Sequence, residues 1–277
     1  MIRKIVTDSS SNMLTLPGAL FSTVPLKIIT EVKEYVDDAA LDVAAMVEDL
    51  RTVKGTTGTS CPNVGQWLDA FEGADEVFAV TISKNLSGSY ASAVQAKEEY
   101  ESTHPGAKVH IIDSLSAGPE LRMFAEFVLR GFEAEKTFEE IVEGVQAYHS
   151  NTETVFCLQS LANLARNGRV NPAVAKIAGM LGIRMVGCAS EVGTLQPLHK
   201  CRGEKKALET IFKEMVTRGF EGGRARIAHC FNPEAAASLK ETILAAFPKC
   251  DIFIEPATAL CSFYAEQGGL LVGFESK

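Results

Sequence analysis

The sequence predicts an α/β protein with two domains, the first built on a parallel sheet with flanking helices and the second on a mixed sheet. In the first half, short apolar segments alternate with segments of helical spacing, an order typical of a parallel sheet. In the second half, two extended segments flank a short turn at residues 191–193, which indicates an antiparallel pair. A polar run at residues 149–152 separates the two patterns, so we place the domains at residues 1–151 and 152–277.

The first half is predicted to contain three buried strands, an interrupted extended run and five helices. The strands fall at residues 2–7, 77–82 and 108–112, and Pro25 breaks an extended run at residues 23–29. The helices fall at residues 37–53, 87–100, 120–132 and 137–148, with another passing through Trp67 and Phe71. Thr137 and Glu140 form a capping box at the start of the last helix. Acidic residues at the start of the helix at residues 37–53 suit the helix dipole.

The second half is predicted to alternate strands and helices around the antiparallel pair. Strands fall at residues 154–158, 183–189, 194–200, 224–229, 250–254 and 270–274. Helices fall at residues 161–167, 204–217 and 233–246, and a further helix has Pro172 at its first position. Gly168 is suited to end the helix at residues 161–167.

The composition is that of a globular protein and excludes several classes of partner. The chain has 277 residues, a formal net charge of −8 and 46% hydrophobic residues, so nucleic acid and anionic membrane surfaces are poor bulk partners. No apolar run is long enough to span a bilayer, so we expect no stable membrane insertion. The N-terminus lacks the apolar segment of a signal peptide, and we expect a cytoplasmic protein. The seven scattered cysteines form no CxxC pair, which predicts reduced thiols and no metal site.

The common catalytic motifs are absent from the sequence. It contains no GxxxxGK phosphate loop, no HExxH, no GxSxG and no GxGxxG. That absence argues against an ordinary NTPase, zinc protease, esterase or dehydrogenase. His199 and His229 each end a predicted strand without an identifiable Ser or Asp partner, so we expect both to be structural and predict no catalytic residue.

Small clusters of hydroxyl residues lie at the ends of the predicted strands. They occur at residues 7–11, 59–63, 83–90 and 113–114. In an open parallel sheet, ligands bind at the carboxyl ends of the strands, where helix N-termini offer free N–H groups to an anion. A single Ser or Thr before a helix is a normal N-cap. Four such turns in one half of the chain favour a polar pocket at one edge of the sheet.

The same segments, in the same order, resemble the DegV family. The resemblance rests on motifs spread over nearly the whole chain: Val6-Thr7-Asp8-Ser9-Ser10, Val24-Pro25-Leu26-Lys27-Ile28, Thr59-Ser60-Cys61-Pro62, Ser83-Lys84-Asn85-Leu86-Ser87-Gly88-Ser89, Ile112-Asp113-Ser114, Leu161-Ala162-Asn163-Leu164-Ala165-Arg166, Arg202-Gly203-Glu204 and Ala228-His229-Cys230. Each motif is short, and their order and spacing together make the resemblance specific. The family often has Gln where this chain has Cys61.

The resemblance implies a non-enzymatic protein that binds one long-chain fatty acid in a tunnel between two α/β domains and needs no other cofactor. It places Thr59 and Ser60, together with Ser87, Gly88 and Ser89, at the carboxylate, with Thr59 and Ser87 as direct hydrogen-bond donors. It also implies a partner, because fatty acid kinase systems pair such a protein with a separate kinase subunit that makes an acyl phosphate.

Two further predictions follow from the resemblance. The family commonly has a His near the C-terminus that helps to bind the carboxylate, and Tyr264 occupies that place here. A phenol donates a hydrogen bond but does not become cationic near neutral pH. Arg169 and Arg202 become candidates for the partner surface or the phosphate, because a guanidinium binds phosphate with a forked pair of hydrogen bonds.

The alternative hypothesis is a phosphotransfer or kinase-type subunit that acts on a small hydroxylated substrate. It follows from the similarity of the fold to dihydroxyacetone kinase and to a phosphocarrier subunit of sugar transport. That reading needs either an active His near the strand ends of the first domain, where the sequence offers only His104, His110 and His149, or a carboxylate-rich metal site, for which Asp8 and Asp113 are the candidates and fit equally as turn acceptors.

Overall fold

A computed structural model describes residues 1–53, 55–178 and 180–277. Within them the strands are Arg3–Asp8 (β1), Leu20–Val24 (β2), Lys27–Thr30 (β3), Glu34–Val36 (β4), Thr57–Ser60 (β5), Glu76–Thr81 (β6), Lys108–Asp113 (β7), Thr152–Leu158 (β8), Ile183–Ala189 (β9), Leu195–Arg202 (β10), Arg224–His229 (β11), Asp251–Pro256 (β12) and Leu270–Glu275 (β13). The helices are Val43–Thr52 (α1), Val64–Phe71 (α2), Ser89–Thr103 (α3), Pro119–Glu133 (α4), Phe138–His149 (α5), Ala162–Arg166 (α6), Pro172–Ala178 (α7), Glu204–Thr217 (α8), Pro233–Ala246 (α9) and Ala259–Ala265 (α10), with a short 3-10 helix at Ser9–Ser11.

The first half of the chain forms the predicted parallel sheet, in the order β2-β1-β6-β7. Its strands are apolar on both faces because helices cover both. Ile5 and Phe78 pack on one face against the cluster under α4 and α5, while Val6 and Val77 pack on the other face with α2 and α3. All four strands run in the same direction, so their carboxyl ends meet at one edge of the sheet.

The second half forms a six-stranded mixed sheet, in the order β10-β9-β8-β13-β11-β12. Its neighbouring strands are antiparallel except for β11 and β12, and β9 with β10 is the predicted hairpin. One face packs on α8 and α9 through residues such as Val155 and Ile211. The opposite face, which includes Phe156 and Leu158, points toward the carboxyl edge of the parallel sheet.

A small antiparallel sheet, β4-β3-β5, was not predicted. The helix expected at residues 37–53 begins only at Val43, with Asp42 as its N-cap, because residues 34–36 form β4. Asp37 instead accepts hydrogen bonds at the start of α10, a helix that the sequence did not indicate. The strands of the six-stranded sheet come from residues 152–275 and those of the other two sheets from residues 3–113. The domain division at residue 151 stays a prediction.

Candidate functional site

A cavity lies between the inner face of the six-stranded sheet and the carboxyl edge of the parallel sheet. Its empty space, counted together with the open solvent at its mouth, is about 820 Å³. Most of the lining is hydrocarbon, from Leu26, Ile82, Leu86, Leu115, Ala117, Phe156, Leu158, Leu164, Ala189, Leu195, Leu260, Ala265 and Leu271. The arrangement suits a ligand that is itself mostly hydrocarbon.

Apart from Thr194, whose hydroxyl lies 2.8 Å from Ser190 Oγ, the hydroxyl and charged side chains of the lining fall into two separate groups. Thr59, Ser87, Arg169 and Tyr264 are partly exposed, and we call them the outer polar group. Ser116 and Thr154 are buried, and with Glu120 and Thr152 behind them they form the inner polar group. The polar end of a ligand can therefore lie at the outer polar group, which is partly exposed, while most of the rest of the ligand contacts hydrocarbon.

The centre of the outer polar group is a pair of hydroxyls from distant parts of the chain. Thr59 Oγ1 and Tyr264 Oη lie 2.7 Å apart, with either able to donate. Thr59 is held by β5, where it pairs with Ile28 of β3. Tyr264 lies on α10, whose first N–H groups donate to the buried carboxylate of Asp37, from Ala259 at 2.8 Å and Leu260 at 3.0 Å.

The anchor at Asp37 compensates for the poor capping of α10. Thr258, the N-cap residue, makes no side-chain cap hydrogen bond to its own helix, and its hydroxyl donates to the Asp37 carboxylate at 3.2 Å. Burial raises the pKa of Asp37, and the hydrogen bonds that it accepts oppose that shift. Asp37 thus fixes the end of the helix that carries Tyr264.

Ser87, Gly88 and Ser89 lie together at the start of α3, but only Ser87 lines the cavity. The Ser89 hydroxyl is buried and donates to Asp8 at 2.7 Å, so its hydrogen goes to the protein interior. Asp8 also accepts from the backbone N–H of Ile82 at 2.9 Å, and burial raises its pKa. This carboxylate ties the ends of β1 and β6 to the start of α3.

The remaining predicted residues, Ser60, Arg169 and Arg202, differ in whether they line the cavity. Ser60 ends β5 beside Thr59 and is not among the lining residues. Arg169 lines the cavity, and its Nε donates at 3.1 Å to the carbonyl of Leu86, directly before Ser87. Arg202 is exposed at the end of β10 and does not line the cavity. The structure therefore brings together Thr59, Ser87, Tyr264 and Arg169, and leaves Arg202 on the surface.

The sequence reasoning missed the inner polar group. Thr154 Oγ1 donates to Glu120 at 2.7 Å, Thr152 Oγ1 donates to the other Glu120 oxygen at 2.7 Å, and Ser116 Oγ donates to Thr154 at 2.9 Å. Two Thr at alternate positions of β8 share one face, and this spacing was the available signal. Nothing in the sequence pairs that face with Glu120 of α4.

A search for metal-binding side chains among the described residues gave no candidate cluster of three or more His, Cys, Asp and Glu. Burial lowers the pKa of His229, and its Nδ1 accepts from the backbone N–H of Asn232 at 3.3 Å. Within residues 1–53, 55–178 and 180–277, every helix is too short or too polar to cross a membrane.

Comparison with known proteins settles the family. The model of the DegV family, which is described as a family of uncharacterised proteins, matches residues 3–277. This chain belongs to the DegV family. A DegV domain-containing protein of Streptococcus pneumoniae is 42% identical over 279 residues, which cover 99% of each chain. The predicted family is thereby confirmed.

Solved structures of DegV proteins match the whole molecule. The Streptococcus pneumoniae Fatty Acid Kinase (Fak) B3 protein loaded with linoleic acid is 42% identical, with a TM-score of 0.98 over 100% of both chains. A DegV family protein from Eubacterium eligens loaded with heptadecanoic acid is 41% identical, with a TM-score of 0.98 over 99% of this chain and 100% of that one. A DegV family protein from Ruminococcus gnavus, refined with vaccenic acid, is 29% identical with a TM-score of 0.90, over 98% and 99%. The predicted α/β fold is confirmed.

Proposed function

We propose that this protein binds one long-chain fatty acid, with its acyl chain in the cavity and its carboxylate at the outer polar group. The observation that carries the proposal is a largely hydrocarbon cavity with a single partly exposed polar group. Two DegV proteins that share 41% and 42% of their residues with this chain were crystallised with a long-chain fatty acid.

The outer polar group has the chemistry that a carboxylate needs. The Thr59 and Tyr264 hydroxyls share one hydrogen bond, so the pair leaves one O–H free for a ligand, and the Ser87 hydroxyl offers a second. The Arg169 guanidinium brings a positive charge to the same place. Each hydrogen bond to a charged acceptor contributes on the order of 1.5–3 kcal/mol. Burial of the acyl chain contributes about 0.8 kcal/mol per CH₂ before the entropy cost of binding is subtracted.

We propose further that the protein is a binding subunit without catalysis of its own, which presents the fatty acid to a separate kinase. Support comes from the relative that carries the name of a fatty acid kinase B subunit. Arg202 is exposed outside the cavity and suits a contact with that kinase or with the acyl phosphate. Turnover of ATP by this chain alone would contradict this part of the proposal.

The first test is native mass spectrometry of the purified protein, followed by lipid extraction. We expect one C14–C20 fatty acid per chain. We also expect Thr59→Val and Ser87→Ala to bind palmitate or oleate roughly ten-fold more weakly, as the loss of one charge-assisted hydrogen bond implies. Thr242→Val removes an exposed hydroxyl on α9 and serves as the matched control. Purified protein that is empty and takes up no added fatty acid would overturn the proposal.

A further inference from the structure

The inner polar group is an unusual feature for a cavity that holds hydrocarbon. Ser116 is 2% exposed and Thr154 is 5% exposed, and both line the cavity. Behind them, Glu120 is 4% exposed, and none of the ion pairs among the described residues includes its carboxylate. A cavity shaped only for an alkyl chain has no need of hydroxyls in its lining.

The hydrogen bonds of this group all run in one direction. Ser116 Oγ donates to Thr154 at 2.9 Å, and Thr154 Oγ1 donates to Glu120 at 2.7 Å. Among the hydrogen bonds between described side chains and backbone groups, none is donated to Ser116 Oγ. Its lone pairs are therefore available at the cavity lining, and donation toward a carboxylate strengthens a hydroxyl oxygen as an acceptor.

We infer that the cavity accepts long-chain fatty acids that carry a hydroxyl in the distal part of the chain, with that hydroxyl donating to Ser116 Oγ. The inference rests on the proposed fatty acid site and adds a substrate class to it. The ligand hydroxyl continues the donor chain through Ser116 and Thr154 to Glu120. Most other positions along the chain lie against hydrocarbon side chains, where burial of a hydroxyl without a partner costs free energy.

The position of the hydroxyl along the acyl chain follows from β8. Leu158 packs in the cluster that includes Tyr264, whereas Thr154 belongs to the inner polar group. The four residues from Leu158 to Thr154 extend roughly 13 Å. A hydroxyl next to the carboxylate therefore remains at the outer group, and one near the middle of an octadecanoic acid reaches Ser116.

The test compares the affinities of stearic, 2-hydroxystearic, 10-hydroxystearic and 12-hydroxystearic acid for the delipidated full chain, measured by displacement of a fluorescent fatty acid. We expect 10- or 12-hydroxystearic acid to bind about three- to ten-fold more tightly than 2-hydroxystearic acid, the gain of one hydrogen bond. In Ser116→Ala, where Thr154 still reaches Glu120, the ratio of these affinities should fall to about one. Ser102→Ala, an exposed serine on α3, should keep the native ratio.

The outcomes separate this inference from the proposed function. If stearic acid binds but neither 10- nor 12-hydroxystearic acid binds more tightly than 2-hydroxystearic acid, the inference is wrong. It is also wrong if their higher affinity persists in Ser116→Ala. In either case the inner polar group serves only to tie α4 to β8. If none of the four acids binds, the proposed fatty acid site itself fails. The ligand series on the native chain tests the inference even where the Ser116 variant folds poorly.

Discussion

In the resemblance to the DegV family, Tyr264 takes the place of a common His, and its phenol adds no positive charge to that of Arg169 in the outer polar group. In Tyr264→His, the introduced imidazole becomes cationic as pH falls through its ordinary range near 6.5. We expect fatty acid affinity in this variant to rise about ten-fold between pH 8 and pH 6, through a charge-assisted hydrogen bond to the carboxylate. The measurement is a fluorescent displacement titration at several pH values. The native protein should change less over the same range, and so should Tyr90→His, a tyrosine outside the cavity lining. A flat profile for Tyr264→His would place the carboxylate away from this residue.

His110 makes stability depend on pH. Burial, with a smaller effect from the charge of Lys97, lowers its pKa from 6.5 to about 4. Between pH 6.5 and pH 4 the unfolded chain therefore binds a proton at this position more readily than the folded chain. The stability that depends on neutral His110 is fully present above pH 6.5 and is lost as pH falls toward 4. The loss should be on the order of 2–3 kcal/mol. In urea unfolding, the free energy of unfolding of the native protein should fall between pH 6.5 and pH 4 relative to that of His110→Phe. The same pH dependence in both proteins would contradict this prediction.

At the residue scale, the sequence pointed to several side chains of the candidate site but not to the residues with which they form hydrogen bonds. Hydroxyls at strand ends are a local signal that predicts clusters, and the resemblance to the DegV family singled out Thr59 and Ser87 within them. The partner of Thr59 is Tyr264, 205 residues away, and no spacing rule reaches that far. Ser89 has the same local signal as Ser87, yet its hydroxyl donates to Asp8 because the first turn of α3 directs it inward.

The β9–β10 hairpin closes one side of the cavity, and Gly193 at its tip makes that contact possible. Gly193 has φ +73°, and an added Cβ would lie 2.8 Å from Leu115 Cα and 2.9 Å from Leu115 O, in addition to a clash with Ser83 Oγ. Gly193→Ala should push the tip away from Leu115, so that a bound fatty acid dissociates several-fold faster. The measurement is the dissociation rate of a fluorescent fatty acid.

The control for this variant is Gly73→Ala. Gly73 has φ +76° and nothing within 4 Å of an added Cβ, so it carries the same backbone strain without the clash. The unfolding free energy should fall in both variants, and the dissociation rate should rise only in Gly193→Ala. An equal rise in both would show that backbone strain, and not closure of the cavity, controls release.

At the element scale, the success of prediction followed the clarity of the apolar pattern within each element. α8, β11 and α9 were predicted with the bounds that the structure has, since their apolar spacing runs over whole elements. β4 and β5 have three and four residues, too few for a periodic pattern, and their pairing with β3 arises from tertiary contacts. α10 was missed because its buried face covers nearly the whole helix and leaves no amphipathic period.

A largely buried network of ion pairs joins the two halves of the molecule. Arg122 of α4 makes two hydrogen bonds to Glu255 of β12, at 2.9 and 2.5 Å, and Arg226 of β11 reaches Glu126 of α4 at 2.8 Å. Burial raises the pKa of Glu255, and the neighbouring Arg122 opposes that shift. Since both halves of the chain also line the cavity, the network holds in place the two surfaces that a fatty acid contacts.

Loss of one partner should therefore affect both stability and binding. Glu255→Ala removes the two hydrogen bonds that the buried Arg122 guanidinium makes to a carboxylate and leaves it only the longer contact with Glu126, at 3.7 Å. We expect the free energy of unfolding to fall by about 3 kcal/mol, with weaker fatty acid binding. The double variant Arg122→Met, Glu255→Leu removes both charges and should recover most of the loss. Glu139→Ala, which breaks the exposed pair with Lys108, should change little. Urea unfolding of the four proteins, with and without palmitate, measures these effects. A Glu255→Ala variant as stable as Glu139→Ala would mean that hydrocarbon packing alone holds the two halves together.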